Sequence, residues 1–259
     1  MITTLLKDFV FKLRVTIASR FLTRIKRATH RMPVRLVEVR KSRVLVIAPH
    51  PDDEVIGCGG ALLLHLRAES TVRVIFVSDG SVGIRDPKTA KMISDRRFDE
   101  VKRVKDFMKF ESFRRLDFPD ASLVMHEKEI AARLASEVSE FKPDQIYCPH
   151  PADGHADHQA CSLAVAQAIN ATHWSGTTMC YELWATLSPN AAIDITSVAD
   201  QKDAAIRLYE SQIADRDYAS AILGLNHYRG LQHRLKYAEA YYSCNSSEFQ
   251  KIASMLNLV

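Results

Sequence analysis

Apolar positions along the chain switch between two rhythms, and the switching predicts the fold. Residues 44–48 (VLVIA) form an unbroken apolar run, the pattern of a strand buried on both faces. GCGGALLLHLRAE (57–69) follows with helical character, and TVRVIFVSDG (71–80) reads as a second strand ending in a turn. A charged helix over 90–109 keeps Val101, Val104, Phe107 and Met108 on one side, and 126–141 is again helical after an irregular stretch at FPDAS (118–122). DQIYCPH (144–150) is another short apolar run, and HQACSLAVAQAI (158–169) is helix-like. Strands alternating with helical segments predict an α/β domain, its sheet mostly parallel with crossover helices. Beyond about residue 172 the rhythm weakens. There, YELWATL (181–187) and IDIT (193–196) are predicted as strands, 198–213 and 217–229 as helices. No repeat and no long linker divides 43–259, which reads as one domain.

The first 42 residues follow a different pattern. Ile2, Leu5, Leu6, Phe9, Val10, Leu13, Ile17, Phe21 and Ile25 recur at three- and four-residue steps, interspersed with Lys7, Lys12, Arg14, Arg20, Arg24, Lys26 and Arg27. This predicts a basic amphipathic helical arm. Residues 1–43 hold 12 Lys and Arg against two acids, whereas the rest of the chain holds 23 against 29. The net charge of +4 therefore hides a mildly acidic body, and nucleic-acid binding gains little support. Three readings of the arm stay open: peripheral contact of residues 1–30 with an anionic membrane surface, packing on the domain or pairing in a homo-oligomer, and a cleaved targeting peptide. No apolar run reaches the roughly 18 residues of a spanning helix. Five scattered cysteines without a CxxC pair argue against a disulfide framework. Together these predict a cytoplasmic location, peripheral at the inner face of the membrane if the arm binds lipid.

Two clusters carry the candidate chemistry. PHPDDE (49–54) follows VLVIA directly, and PHPADGHADH (149–158) follows DQIYC. Both fall where a parallel strand should end, and ligands of open α/β sheets bind in the crevice outside those ends. Imidazole and carboxylate suit a divalent metal, and a catalytic zinc takes three protein ligands and one open position. His50 and Asp53 are three apart and converge if the chain turns at once; the third ligand falls to His155, Asp157 or His158. A two-His, one-carboxylate set also suits Fe2+, so metal identity stays open. Asp52 is the candidate general base, a second-cluster histidine the candidate acid and oxyanion partner, and Asp157 a carboxylate to fix its tautomer. His150 reads as a loop neighbour; His65, His126, His173, His227 and His233 lack a local carboxylate pattern and read as structural or exposed.

VLVIAPHPDDEVIGCGG (44–60) resembles the opening signature of the PIG-L/LmbE-type zinc-dependent de-N-acetylases, and GHADH (154–158) their second, a His-x-Asp-His. VIFVSDG (74–80), DRRFDEVKRV (95–104), KDAAIRLYESQ (202–212) and YAEAYY (237–242) extend the resemblance over roughly 43–242, leaving the arm outside it. The resemblance implies a Rossmann-like fold, Zn2+ (or another divalent ion), and an N-acetylglucosamine-containing glycoside or glycolipid that releases acetate. It implies His50, Asp53 and His158 as metal ligands and Asp52 as base on the attacking water. It further implies His155 as stabiliser of the tetrahedral intermediate and acid toward the amine, oriented by Asp157. Arg97 and Asp79 fall where family members shape the sugar pocket, and Asp153 at a position that tunes the acceptor side. Ala156 stands where many members carry proline, which bears on loop rigidity. The competing readings are another metal chemistry, such as an iron oxygenase, and a non-catalytic sugar-binding module.

Overall fold

The computed structural model describes residues 34–214 and 216–256. Their strands are β1 (Arg35–Leu36), β2 (Arg43–Ala48), β3 (Thr71–Ser78), β4 (Ser112–Phe118), β5 (Gln145–Pro149), β6 (Thr177–Tyr181), β7 (Ala191–Asp194) and β8 (Ala238–Asn245). The helices are α1 (Asp53–Arg67), α2 (Pro87–Met108), α3 (Glu127–Phe141), α4 (Ala156–Thr172), α5 (Ala199–Arg207), α6 (Glu210–Ile213), α7 (Tyr218–Leu231) and α8 (Ser246–Leu256). One sheet runs in the order β1-β7-β8-β6-β5-β2-β3-β4. Neighbours from β4 across to β6 are parallel, while β8 is antiparallel to both β6 and β7. The predicted α/β class, a mostly parallel sheet flanked by helices, is the fold found.

The unbroken apolar run of β2 has a direct cause. Val44, Val46 and Ala48 face one core with α1 and α2, while Leu45 and Ile47 face a second with α3 and α4. Alternate side chains point to opposite faces, so a strand covered by helices on both sides must be apolar at every position.

Some elements differ from the sequence expectation. The run 181–187 is not a strand: β6 ends at Tyr181, and Glu182 instead accepts hydrogen bonds from Arg229 and from the Leu187 backbone. The region 112–118 is a strand, although its Arg114 and Arg115 interrupt the apolar pattern, because β4 is the sheet edge, where charge is tolerated. β1 lies ahead of the expected domain start at residue 43 and pairs with β7. The amphipathic pattern of residues 1–30 falls outside the described residues.

Chain order reverses between β2 and β5. From β2 the chain moves outward to β3 and β4, then returns to β5 and moves the other way to β6. That makes the carboxyl ends of β2 and β5 the switch point of the sheet, where a crevice must open. Both histidine-rich loops leave the sheet there. α1 approaches closely: a Cβ on Gly57 would lie 2.4 Å from the Tyr181 ring. The helix breaks its geometry at Cys58 (φ −142°, ψ 19°). The freed N–H groups of Gly60 and Ala61 donate to the Glu239 carboxylate at 2.7 and 2.8 Å, and the fully buried Lys202 ammonium bridges Glu239 and the Ile56 carbonyl.

Candidate metal centre

The loop after β2 turns at once. The Asp53 carboxylate accepts the His50 backbone N–H at 2.9 Å, which folds the side chains of both residues onto one side. Asp52 between them has φ 120°, a conformation costing about 1–3 kcal/mol for a non-glycine residue. It is the N-cap of α1, yet its carboxylate makes no capping hydrogen bond. In the loop after β5, Asp153 accepts the N–H of His155, and His155 caps α4 by accepting the Asp157 N–H on Nδ1 at 3.2 Å. His158, in the first turn of α4, is fully buried and points back at the first loop.

Three donor atoms converge. His50 Nδ1, Asp53 Oδ2 and His158 Nε2 are separated by 3.2, 3.3 and 3.4 Å. A tetrahedral ion bonded at about 2.0–2.2 Å spaces its ligand atoms by roughly 3.3–3.6 Å, so the three atoms already stand at the vertices such an ion requires. The donors are two imidazoles and a carboxylate with no thiolate, the set of a catalytic rather than a structural zinc site. A second grouping, His50, His155 and Asp157, shares His50 and borders the first.

Behind these atoms stands a ring of carboxylates. Asp153 Oδ1 lies 3.1 Å from His158 Nδ1, and His50 Nε2 lies 3.3 Å from both Asp120 and Asp157. Such partners orient ligating imidazoles and raise their basicity. Burial pulls the His50 imidazole down, but Asp120, Asp157 and Asp53 outweigh it and hold it well above the usual histidine range. His158 is likewise opposed by burial and still pushed up to about 9 by Asp53 and Asp153. The reverse holds for Asp53: burial alone would raise it, yet His158 and His50 keep it well below the ordinary carboxylate range. Asp52 is raised, first by burial and then by Asp53. A field that raises two imidazoles is one that a divalent cation relieves.

The site opens on a cavity of about 860 Å³. Its walls include His50, Asp52, Asp53, Asp120 and His155, the arginines Arg96, Arg97 and Arg216, and apolar or aromatic groups from Leu183, Trp184, Tyr218 and Ile222.

Not every candidate lies where the resemblance implied. Asp157 was expected to orient His155. Its carboxylate instead meets His50 Nε2 and the Leu123 N–H, and only its backbone N–H touches the His155 ring. Asp153 is buried behind His158, its second oxygen accepting the Trp184 N–H at 3.1 Å, rather than standing at an acceptor rim. Asp79 sits outside the cavity walls and holds the neighbouring turn by accepting the N–H groups of Ser81 and Asp120. Arg97 does line the cavity, pinned by Gln212 and 3.6 Å from Asp120. Asp120 was missed, since it reaches His50 from the end of an edge strand and belongs to neither motif.

Residues 45–169 match the family model of the PIG-L GlcNAc-PI de-N-acetylases. Over those residues the chain is similar to the PIG-L family. It is 26% identical over 190 residues to the diacetylchitobiose deacetylase of Thermococcus kodakarensis, covering 67% of this chain and 71% of that protein. It is 29% identical over 185 residues to a probable N-acetyl-α-D-glucosaminyl L-malate deacetylase of Bacillus subtilis, covering 66% and 84%. Among solved structures, the N,N'-diacetylchitobiose deacetylase of Pyrococcus horikoshii superimposes with a TM-score of 0.69 at 23% identity, over 79% of this chain and 84% of that one, a likeness of fold. The PIG-L domain is that of an amide-hydrolysing de-N-acetylase. Among the described residues no helix is long and apolar enough to cross a membrane.

Proposed function

We propose that the protein removes the acetyl group from an N-acetylglucosamine-containing glycoside or glycolipid, with His50, Asp53 and His158 holding a divalent cation, zinc first among candidates. The observation that carries this reading is the spacing of the three donor atoms, 3.2–3.4 Å apart, directly beside the strained Asp52 and open to a cavity of glycoside size. When bound, such a cation supplies Lewis acidity to the attacking water and the amide carbonyl.

Asp52 is the base. Its carboxylate makes no cap hydrogen bond, faces the cavity, and is raised well above the ordinary carboxylate range by burial and by Asp53, which makes it a better proton acceptor. It takes one proton from the attacking water as the carbon–oxygen bond forms. The His155 ring has a defined tautomer: Nδ1 accepts the Asp157 N–H, so the neutral ring carries its proton on Nε2. Burial, then His158 and His50, lower His155, which keeps that neutral form. This favours His155 as hydrogen-bond donor to the oxyanion over the acid role the resemblance implied. Asp52 then returns its proton to the amine nitrogen as the carbon–nitrogen bond breaks, giving acetate and the free amine. Arg97 is the polar wall of the sugar pocket, and Trp184, Tyr218 and Arg216 face the aglycone, lipid-linked or soluble.

The test is metal analysis combined with acetate release from a panel of N-acetylglucosaminides, both lipid-linked and soluble. At least one substrate should turn over, and Asp52→Ala should keep its metal while losing about 1000-fold or more in rate. Metal-loaded protein releasing no acetate from any of them would overturn the reading. Near-full activity in Asp52→Ala would overturn the base assignment.

A further inference from the structure

We propose that Tyr209 and Glu54 form a latch that holds Asp52 in the backbone conformation its chemistry needs; the proposal rests on the base assignment above. Strained φ values persist only where the surroundings over-determine them. The Asp52 carboxylate has no capping bond to fix it, so its direction is set by its own backbone. That backbone is gripped from both sides. Its carbonyl accepts the N–H groups of Val55 and Ile56 at 3.1 and 3.0 Å, which any helix start would supply. Its N–H donates to Glu54 Oε2 at 3.1 Å, which an ordinary helix start does not require.

Glu54 is fully buried, and no cationic side chain pairs with it among the described residues. Its other oxygen accepts the hydroxyl of Tyr209, also fully buried. A carboxylate without a counter-ion is costly in an interior, where an apolar residue of similar volume would do better. What Glu54 gains in that place is its pair of hydrogen bonds, one to the buried Tyr209 hydroxyl and one that fixes the Asp52 backbone. Tyr209 is in turn anchored: its carbonyl accepts the N–H groups of Gln212 and Ile213, and Ser211, two residues on, donates through N–H and hydroxyl to Glu100 of α2 at 2.9 and 2.6 Å. The path runs from α2 through Ser211 and Tyr209 to Glu54, and ends on the Asp52 N–H. Both latch residues are positioning residues, since neither touches the reacting atoms.

The test is a double-mutant cycle with acetate release, metal content and melting temperature measured throughout. Glu54→Leu should lower kcat about 100-fold, the usual scale of a 1 Å misplacement, and leave KM and metal stoichiometry unchanged. Tyr209→Phe, which removes one buried oxygen, should lower kcat roughly 10-fold. Glu54→Gln should stay within about 3-fold, because its amide oxygen still accepts the Asp52 N–H and its NH2 still meets the Tyr209 oxygen. In an Asp52→Ala background, Tyr209→Phe and Glu54→Leu should each cost less than about 2-fold. Equal costs in both backgrounds, or Glu54→Gln as damaging as Glu54→Leu, would overturn the latch. Should Glu54→Leu fail to fold, Tyr209→Phe carries the cycle alone. If the wild type deacetylates nothing, the deacetylase reading falls first. The latch is then judged by a structure of Tyr209→Phe: φ of Asp52 should relax from 120°, and an unchanged value would sink it.

Discussion

The protein buries two ionic clusters along α1, one at its start and one at its break, and they obey different rules. At the break in the helix, Lys202 and Glu239 are one cation and one anion. Glu239 accepts from Gly60 N, Ala61 N, Lys202 Nζ and the Tyr241 hydroxyl, and Lys202 also donates to the Ile56 carbonyl. Charge is balanced and partners are local, as in a pair that repairs a kinked backbone. At the start of the same helix, Asp52, Asp53, Asp120 and Asp157 surround His50, and Asp53 and Asp153 flank His158. That cluster carries excess carboxylate and opens on the cavity. Burial alone does not separate a functional ionic group from a structural one; charge imbalance facing a cavity does.

The largest effect expected from breaking this asymmetry is at His158. His158→Ala removes one of three donor atoms, so dialysed protein should retain less than about a tenth of the wild-type metal and lose acetate release about 1000-fold or more. Its fold, followed by circular dichroism, should survive. At the other cluster the pattern should invert. Lys202→Met leaves Glu239 buried without its counter-ion and should cost about 3–5 kcal/mol. At roughly 2–4 °C per kcal/mol, the melting temperature should drop by about 10 °C, with metal per folded chain unchanged. Adding Glu239→Gln should recover part of that loss, because the orphaned charge is then gone. Metal loss in Lys202→Met at wild-type stability would show that the two clusters are not separable. A third, smaller effect is expected at Asp153, which touches His158 but supplies none of the three donor atoms. Asp153→Asn should weaken metal affinity about 10- to 100-fold in a competitive chelator titration, leaving saturated activity nearer the wild type.

What was legible in the sequence follows the range of the contacts involved. The turn that joins His50 to Asp53 closes over three residues, and a His-x-x-Asp spacing after an apolar strand announces it. The approach of the two loops, which brings His50 to His158 across 108 positions, was readable because both leave parallel strands at the same end of the sheet, but the choice of His158 over His155 and Asp157 came only from the family resemblance. Asp120 had no such signal. It arrives from the end of β4, where charged Arg114 and Arg115 masked the strand itself. Asp157 and Asp153 were visible as residues but not as partners, because which imidazole a carboxylate meets depends on the pitch of α4 and not on adjacency. His155 and Asp157 are two apart, so in the first turn of a helix their side chains diverge. The loop at 182–187 failed as a predicted strand because Glu182 turns inward to Arg229, a pairing 47 positions long that no local pattern encodes.

The smallest expected effect uses a third histidine as a control on the comparison. His65 is as buried as His158, but its ring meets the hydroxyls of Ser70 and Tyr147 at 3.1 Å instead of carboxylates. The two imidazoles move in opposite directions: burial lowers His65 to about 4, whereas carboxylates raise His158 to about 9 against burial. For His65 the unfolded chain binds more protons than the folded one between pH 6.5 and about 4. Stability therefore rises with pH across that window and is lost on acidification through it, by an amount on the order of 3 kcal/mol. His65→Gln keeps a polar side chain without the titration, so its melting temperature should fall less between pH 7 and pH 4.5 than the wild type's, by a few degrees. Parallel acid limbs in the two proteins would mean that His65 is protonated in the fold, and that a buried imidazole here does not report the carboxylates around it.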